Sequence, residues 1–484
     1  MKPTLSFYTI FFFASLFMIR LSGLLVKVVL ARSITPYEYG IITLVVLALP
    51  AVFSLLTNFC FYDVLSHGKN GRKYFSFSIL YTLVVTAITF LTVFIFHESI
   101  FNFLNLPLDS WRRLYTALII VVFPTAILVD LMGLAQGFRK YTTSIIISSL
   151  PPILRLLFVL IVVYILRITD FSLILLIFAL PSLVTLIFIL SKESPTISSN
   201  LRSIVPPSKS MLFWGFSIFL IGTFAGLGDS IVRIVVSHDL GLEWQAYFDV
   251  SLTLVSILTF FSVTLHFISI PEATSIDNRE ELLLKSGGLG DVARALFSYL
   301  IFSVIVIYFY SHELINFLFS ESYALAADYA IILAIGFSFF FVQQFLAYIN
   351  VSFYQETQIN KTLIFITSFF LIFFPIFTHV LIRILGFLGA YISLTLSLSF
   401  YTLATIITSK DLAPIRYLFA KGGRLLVCSL ITFILAYYIK LSLLYGLIVY
   451  TCVFTFLIFS LGYLNVELIF DMFSKNKSPD EQNN

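Results

Sequence analysis

The sequence predicts an all-α polytopic integral membrane protein: about fourteen transmembrane helices, set out as two pseudo-symmetric six-helix bundles plus two C-terminal helices. Three observations carry this expectation. Of 484 residues, 60% are hydrophobic and only 11% charged, whereas soluble domains carry about 25% charged residues. The mean hydropathy is +1.03. The apolar residues fall in runs of about 20–25, long enough for spanning helices and far longer than barrel strands. Finally, the chain repeats itself.

The runs lie at about 7–31, 39–66, 76–96, 114–136, 143–166, 171–190, 211–237, 245–269, 293–310, 329–352, 362–383, 387–408, 424–440 and 443–464. The first is too long for a cleaved leader and is read as the first helix. Most links are short. The exceptions are Ser191–Ser210, carrying Pro195, Pro206 and Pro207, and the charged, Gly-rich stretch Pro271–Asp291. The expected organisation is therefore a bundle over 1–190, a cytoplasmic linker over 191–210, a second bundle over 211–408, two further spans over 409–464, and a disordered tail over 465–484.

Basic residues set the orientation. With the N-terminus inside, nineteen Lys and Arg fall in inner segments, and six (Arg32, Arg112, Arg113, Arg167, Arg383 and Lys440) fall outside. Both termini are thus expected in the cytoplasm, in the cell (plasma) membrane. The repeat agrees with this topology. His97-Glu98-Ser99-Ile100-Phe101-Asn102-Phe103-Leu104 recurs, one residue shorter, as His312-Glu313-Leu314-Ile315-Asn316-Phe317-Leu318, each after the third span of a block. Lys27-Val28-Val29-Leu30-Ala31 aligns with Arg233-Ile234-Val235-Val236-Ser237. A two-residue insertion then brings Tyr39-Gly40 opposite Tyr247-Phe248. Six spans per block is an even number, so the copies insert the same way up, about an axis along the membrane normal.

The charges inside the spans are the functional candidates. Arg20 sits near the middle of the first span, and Lys27 lies seven residues on, sharing its face. A cation at the bilayer centre costs about 2.5–3.5 kcal/mol on the insertion scale, so that face calls for a polar cavity or a negative partner. Lys27 has a second reading, in which its stem reaches the outer headgroups. Arg233, aligned with Lys27, follows Asp229 by four residues, the spacing of an ion pair that is either structural or functional. Gly226, the residue aligned with Arg20, carries no charge. Arg155 follows Pro151-Pro152, whose missing N–H groups free carbonyls for a guanidinium. Asp249 and Gln343-Gln344 add polar groups at membrane depth. Asp63 and Asp130 are expected to reach the interface or cap helix ends, and His266 and His379 to be satisfied packing residues. If the two blocks face each other, Arg20, Lys27, Arg233 and Arg155 outnumber Asp229 and Asp249 and favour an anion. Phosphate suits arginine best.

Several functions are excluded. The net charge of +4 is spread over short loops, which does not suit nucleic acid. Cys60, Cys428 and Cys452 lie in apolar runs without metal-ligand spacing. There is no D-x-D, Walker A or H-E-x-x-H motif, so no catalytic residue, metal or cofactor is expected.

Two stretches carry a resemblance. Arg20-Leu21-Ser22-Gly23 through Ala31-Arg32-Ser33-Ile34-Thr35-Pro36-Tyr37-Glu38-Tyr39-Gly40 resembles the opening of polysaccharide-biosynthesis flippases, the Wzx-like branch of the MOP superfamily. Gly133-Leu134-Ala135-Gln136-Gly137-Phe138-Arg139 resembles that family's fourth-helix end, and Ile270-Pro271 the close of its eighth helix. The resemblance implies a transporter that moves a polyprenyl-linked oligosaccharide to the outer leaflet by alternating access. Its partners would be the anionic glycan lipid, membrane lipids and, functionally, a glycan polymerase or transferase. Arg20, Lys27 and Arg233 match the basic cavity positions of the family, whereas no motif surrounds Arg155. The driving force would be a proton or sodium gradient acting through Asp229 or Asp249, or consumption of the sugar on the far side. Ser66–Arg72 lacks the loop pattern of multidrug MATE exporters, and Leu21 stands where lipid II flippases usually have aspartate. Drug exporter, lipid II-type flippase and glycan polymerase remain the alternative readings.

Overall fold

The computed structural model describes residues 5–66, 73–138, 140–168, 170–200, 204–256, 258, 289–353, 361–408 and 413–464. His266, Ile270-Pro271, the 66–72 loop beyond Ser66, the Pro271–Asp291 connection before Leu289, and the tail after Leu464 lie outside these. Among the described residues every regular element is helical, and ten helices are long and apolar enough to cross a membrane.

The helices are α1 (Leu5–Ser33), α2 (Pro36–Thr43), α3 (Leu49–Thr57), α4 (Phe61–Ser66), α5 (Phe75–Ile95), α6 (His97–Phe103), α7 (Trp111–Gly137), α8 (Tyr141–Leu160) and α9 (Phe171–Asn200). The second block has α10 (Lys209–Asp239), α11 (Leu242–Ser256), α12 (Leu289–Leu318), α13 (Ala327–Phe353), α14 (Lys361–Leu385) and α15 (Phe387–Thr408). Then come α16 (Ala413–Phe419), α17 (Gly422–Tyr438) and α18 (Leu443–Ser460). Among the described residues helix is present in each of the fourteen expected spans, the eighth (245–269) being described only to Ser256 and at Leu258. Helix α9 does not stop near residue 190 but runs on to Asn200.

The second span is not one helix. It enters as α2, widens into a π-helical turn over Leu44–Ala48 ahead of Pro50, continues as α3, and breaks over residues 58–60 before α4. Pro50 brings no N–H to the ladder, so the turn before it has slack to widen. At the break Phe59 has φ +42°, a backbone region that a bulky side chain adopts only when its surroundings force it.

The packing repeats as the sequence does. In the first block α1 lies on α8, and α9 on both α7 and α8; in the second, α10 lies on α14, and α15 on both α13 and α14. These are the same pairs of positions, first with fifth, fourth with sixth, fifth with sixth. The two copies of the His-Glu segment differ, however. In the first, the helix breaks at Phe96 and His97–Phe103 forms a separate turn, while in the second the helix runs unbroken to Leu318. The two extra spans, α17 and α18, rest on α12, with Phe302 stacked on Phe454 at 4.9 Å and the Tyr310 hydroxyl donating to the Leu441 carbonyl at 3.0 Å.

Candidate functional site

The site is built from the turn between the first two spans. Thr35 caps α2: its hydroxyl accepts from the Glu38 N–H at 3.3 Å, and the Glu38 carboxylate accepts from the Thr35 N–H at 3.0 Å. Pro36 occupies the first helical position, where no N–H is needed. This box fixes the next two residues. Gly40 lies so close to α11 that a Cβ would stand 2.2 Å from the Leu242 carbonyl oxygen, so only glycine fits. Tyr39 is fully buried and directed at the second block.

There Tyr39 meets Asp249. The tyrosine hydroxyl donates to Asp249 Oδ2 at 2.7 Å. Lys27 Nζ lies 3.1 Å from each carboxylate oxygen. Arg233 donates to Oδ1 through Nε at 2.9 Å and approaches it through Nη2 at 2.7 Å. Its Nη1 reaches Asp229 Oδ2 at 2.9 Å, completing the pair expected from the four-residue spacing. Lys27 also donates to the Thr253 hydroxyl at 2.8 Å. A turn away, Gln245 Nε2 donates to Thr43 Oγ1 at 3.1 Å, again joining α2 to α11. Asp249 is 0% exposed. Lys27, Arg233 and Asp249 each stand six or seven residues from the far end of their helices, about 10 Å deep at 1.5 Å per residue.

Two cations that the repeat makes equivalent thus converge on one carboxylate. The repeat places Ile41 opposite Asp249, so one acid serves both blocks. Two cations and two carboxylates cancel, and the cluster is neutral rather than net positive. Arg20 stands apart. Its side chain is exposed, and among the described residues it makes no hydrogen bond or ion pair, although it lies within electrostatic reach of Asp229. Arg155 is elsewhere too. It donates to the Phe178 carbonyl of α9 at 3.2 Å, with its guanidinium 4.5 Å above the Phe178 ring. Its carbonyl partner comes from a neighbouring helix and not from the turn that Pro151-Pro152 opens.

Asp130 departs from expectation. It neither reaches the interface nor caps a helix: it is 0% exposed in the middle of the first block, where the Thr82 hydroxyl donates to Oδ2 at 2.7 Å. Periodicity alone gave no sign of this, because the burial depends on α3 and α5 closing over its place on α7. The side chain of Asp63 lies outside the described residues. His379 is satisfied by Asp239, 2.8 Å from Oδ2. Gln344 donates to Gln343 at 2.6 Å. The roles of Tyr39, Thr253 and Gln245 were missed. The only signal for Tyr39 was its place in the turn motif beside a glycine.

The two blocks touch on both sides of this cluster. At the end away from the N-terminus, Asn105 donates to the Ser237 carbonyl at 2.6 Å, Ser237 to the Leu104 carbonyl at 2.6 Å, and His238 stacks on Phe103 at 4.2 Å. At the other end Phe59 stacks on Phe216 at 5.2 Å, and Gly215 lies against Cys60 and Val64.

No protein-family model matches the chain, and no curated protein matches its sequence. Solved structures do. The lipid II flippase MurJ in an inward closed conformation superposes with a TM-score of 0.65 at 14% identity, covering 96% of this chain and 99% of that one. An outward-facing multidrug resistance MATE family transporter of the MOP superfamily gives 0.54 at 14% identity, over 86% of this chain and 95% of that one. A mutant of the Vibrio cholerae MATE transporter VcmN gives 0.52 at 10% identity, over 83% and 97%. The chain is a multi-pass membrane protein that shares the fold of these solved structures.

Proposed function

We propose that the protein is a transporter that flips a lipid-linked oligosaccharide, on a polyprenyl phosphate or pyrophosphate, from the inner to the outer leaflet by alternating access. One observation supports this most: Lys27 and Arg233, equivalent cations from the two blocks, share a single buried carboxylate at their junction. A charged headgroup cannot cross hydrocarbon unaided, and fixed cations in an enclosed path replace part of its hydration. In the conformation described here Asp249 and Asp229 together neutralise both. A phosphate arriving between the blocks would compete with that carboxylate, and the arginine fork can grip it with two hydrogen bonds. Arg20, unpaired on the same helix as Lys27, is the residue available to meet the anion first. The glycan would sit between the blocks while the polyprenyl tail stays in lipid. The turn motif with its resemblance to Wzx-like flippases, and the fold shared with a lipid II flippase, support the same reading. In it the membrane is the plasma membrane, both termini are cytoplasmic, a polymerase or transferase acts on the delivered glycan, and Arg155 plays a lesser part.

A second reading, export of small molecules on the MATE pattern, has the neutrality of the central cluster in its favour. Deleting the gene and extracting lipids separates the two. Lipid-linked oligosaccharide accumulating on the inner leaflet, with Arg20→Ala failing to restore export, supports the flippase. Unchanged lipids and surface glycan in the deletion strain refute it.

A further inference from the structure

Asp130 takes no part in the central cluster, and its surroundings are short of positive charge. We propose that Asp130 and the oxygens around it form a binding site for one monovalent cation, either a proton on the carboxyl or a sodium ion held between carboxylate, hydroxyl and carbonyl oxygens.

Thr82 Oγ1 lies 2.7 Å from Asp130 Oδ2 and 3.0 Å from the Thr57 carbonyl. A hydroxyl has one hydrogen, so it satisfies only one of these acceptors at a time. Asn58 gives one amide hydrogen to the Ala126 carbonyl at 2.8 Å, its oxygen accepts from Thr57 Oγ1 at 3.2 Å, and its second N–H is left to face the carboxyl. Asp130 Oδ1 is buried with no hydrogen-bond partner. Ser78 Oγ, one turn from Thr82 and facing the same carboxyl, is also buried without one. The donors that face the carboxylate are therefore all neutral, and Oδ1 is left without a hydrogen bond. A buried, unpaired acceptor costs about 1–3 kcal/mol, and more when charged.

No protein cation makes up the deficit. Of the elements packed on α7, α5 contributes Tyr81, bound to the Leu56 carbonyl, and α8 contributes Arg155, held at Phe178. Helix α9 contributes Glu193, paired with Lys140 at 2.7 Å. Helix α3 brings no ionisable group, Cys60 follows it in the turn, and the side chain of Asp63 on α4 lies outside the described residues. None of the described cations pairs with Asp130. An isolated carboxylate at membrane depth is neutralised by whatever small cation can enter.

The backbone points the same way. The second span breaks at residues 58–60, beside the carboxyl, and the broken end turns the Thr57 carbonyl out of its ladder towards Thr82. Interrupted spans use such freed carbonyls to hold cations. That span also carries Tyr39 to Asp249, so one element connects the Asp130 site with the central cluster. The inference does not depend on the cargo.

The test uses the full-length protein in lipid nanodiscs, with sodium chloride against choline chloride, across acidic to alkaline buffers. For a sodium site, sodium raises the thermal unfolding midpoint of the wild type, and the shift is lost in Asp130→Asn and reduced in Thr82→Val. For a proton site, infrared difference spectra show a carboxylic-acid carbonyl band that vanishes as pH rises and is missing from Asp130→Asn. Should Asp130→Asn fail to fold, Thr82→Val and Ser78→Ala must weaken the sodium shift or move the acid band. Both arms failing in the wild type, or persisting unchanged in these variants, overturns the proposal.

Discussion

Asp249 and Asp130 are both fully buried carboxylates at membrane depth, and their surroundings are opposite. Asp249 is held by a lysine, an arginine and a tyrosine drawn from both blocks. Asp130 has one hydroxyl, and everything near it belongs to the first block. The first acid joins the halves, and the second is left for a partner that the chain does not supply. Equal burial therefore conceals two different demands: at Asp249 the demand is for keeping partners together, at Asp130 for admitting one.

Substitutions should separate the two. The largest loss is expected for Asp249→Ala, which leaves Lys27 without its counter-ion and Arg233 with Asp229 alone, and should lower stability by about 3–5 kcal/mol, read from the unfolding midpoint. Tyr39→Phe removes one hydrogen bond to a charged group, and about 1.5–3 kcal/mol should be lost in the same assay. Gly40→Ala drives a methyl into the Leu242 carbonyl; strain of about 1–3 kcal/mol should appear, and cysteines placed on α2 and α11 should cross-link less readily. Asp130→Asn should cost no more than about 1 kcal/mol, because it removes an unpaired charge and keeps the shape; a loss as large as that of Asp249→Ala would erase the contrast. Smallest of all, Arg20→Ala should change stability by about 0.5 kcal/mol or less while abolishing glycan export in cells.

Much of the fold was legible in advance because a bilayer imposes it. The fourteen spans follow from length and hydropathy, since backbone groups in lipid must be satisfied within the helix. The pairing of Asp229 with Arg233 follows from the helical repeat. The repeat set Lys27 against Arg233. It did not show that both would meet the same acid, because their partner lies 222 residues from Lys27 in sequence. Nor did it show that the cluster would be neutral, since counting charges says nothing of which ones touch. Asp130 was misplaced for the same reason: an aspartate two turns from a helix end looks as though it should reach the interface, and only the closing of α3 and α5 over it forbids that.

The sequence by itself determined the spans, the local Asp229–Arg233 pair and the two-fold plan, since these depend on neighbours within a turn or on the constant thickness of the membrane. Only the tertiary structure decided which charges are spent on each other and which stay available. Arg20 remains unpaired, Lys27 and Arg233 are committed to Asp249, Arg155 is held by a carbonyl and a ring, and Asp130 is enclosed without a counter-ion. Electrostatic interactions in a low-dielectric interior are set by distance and burial, and those quantities come into being only when the two blocks pack together.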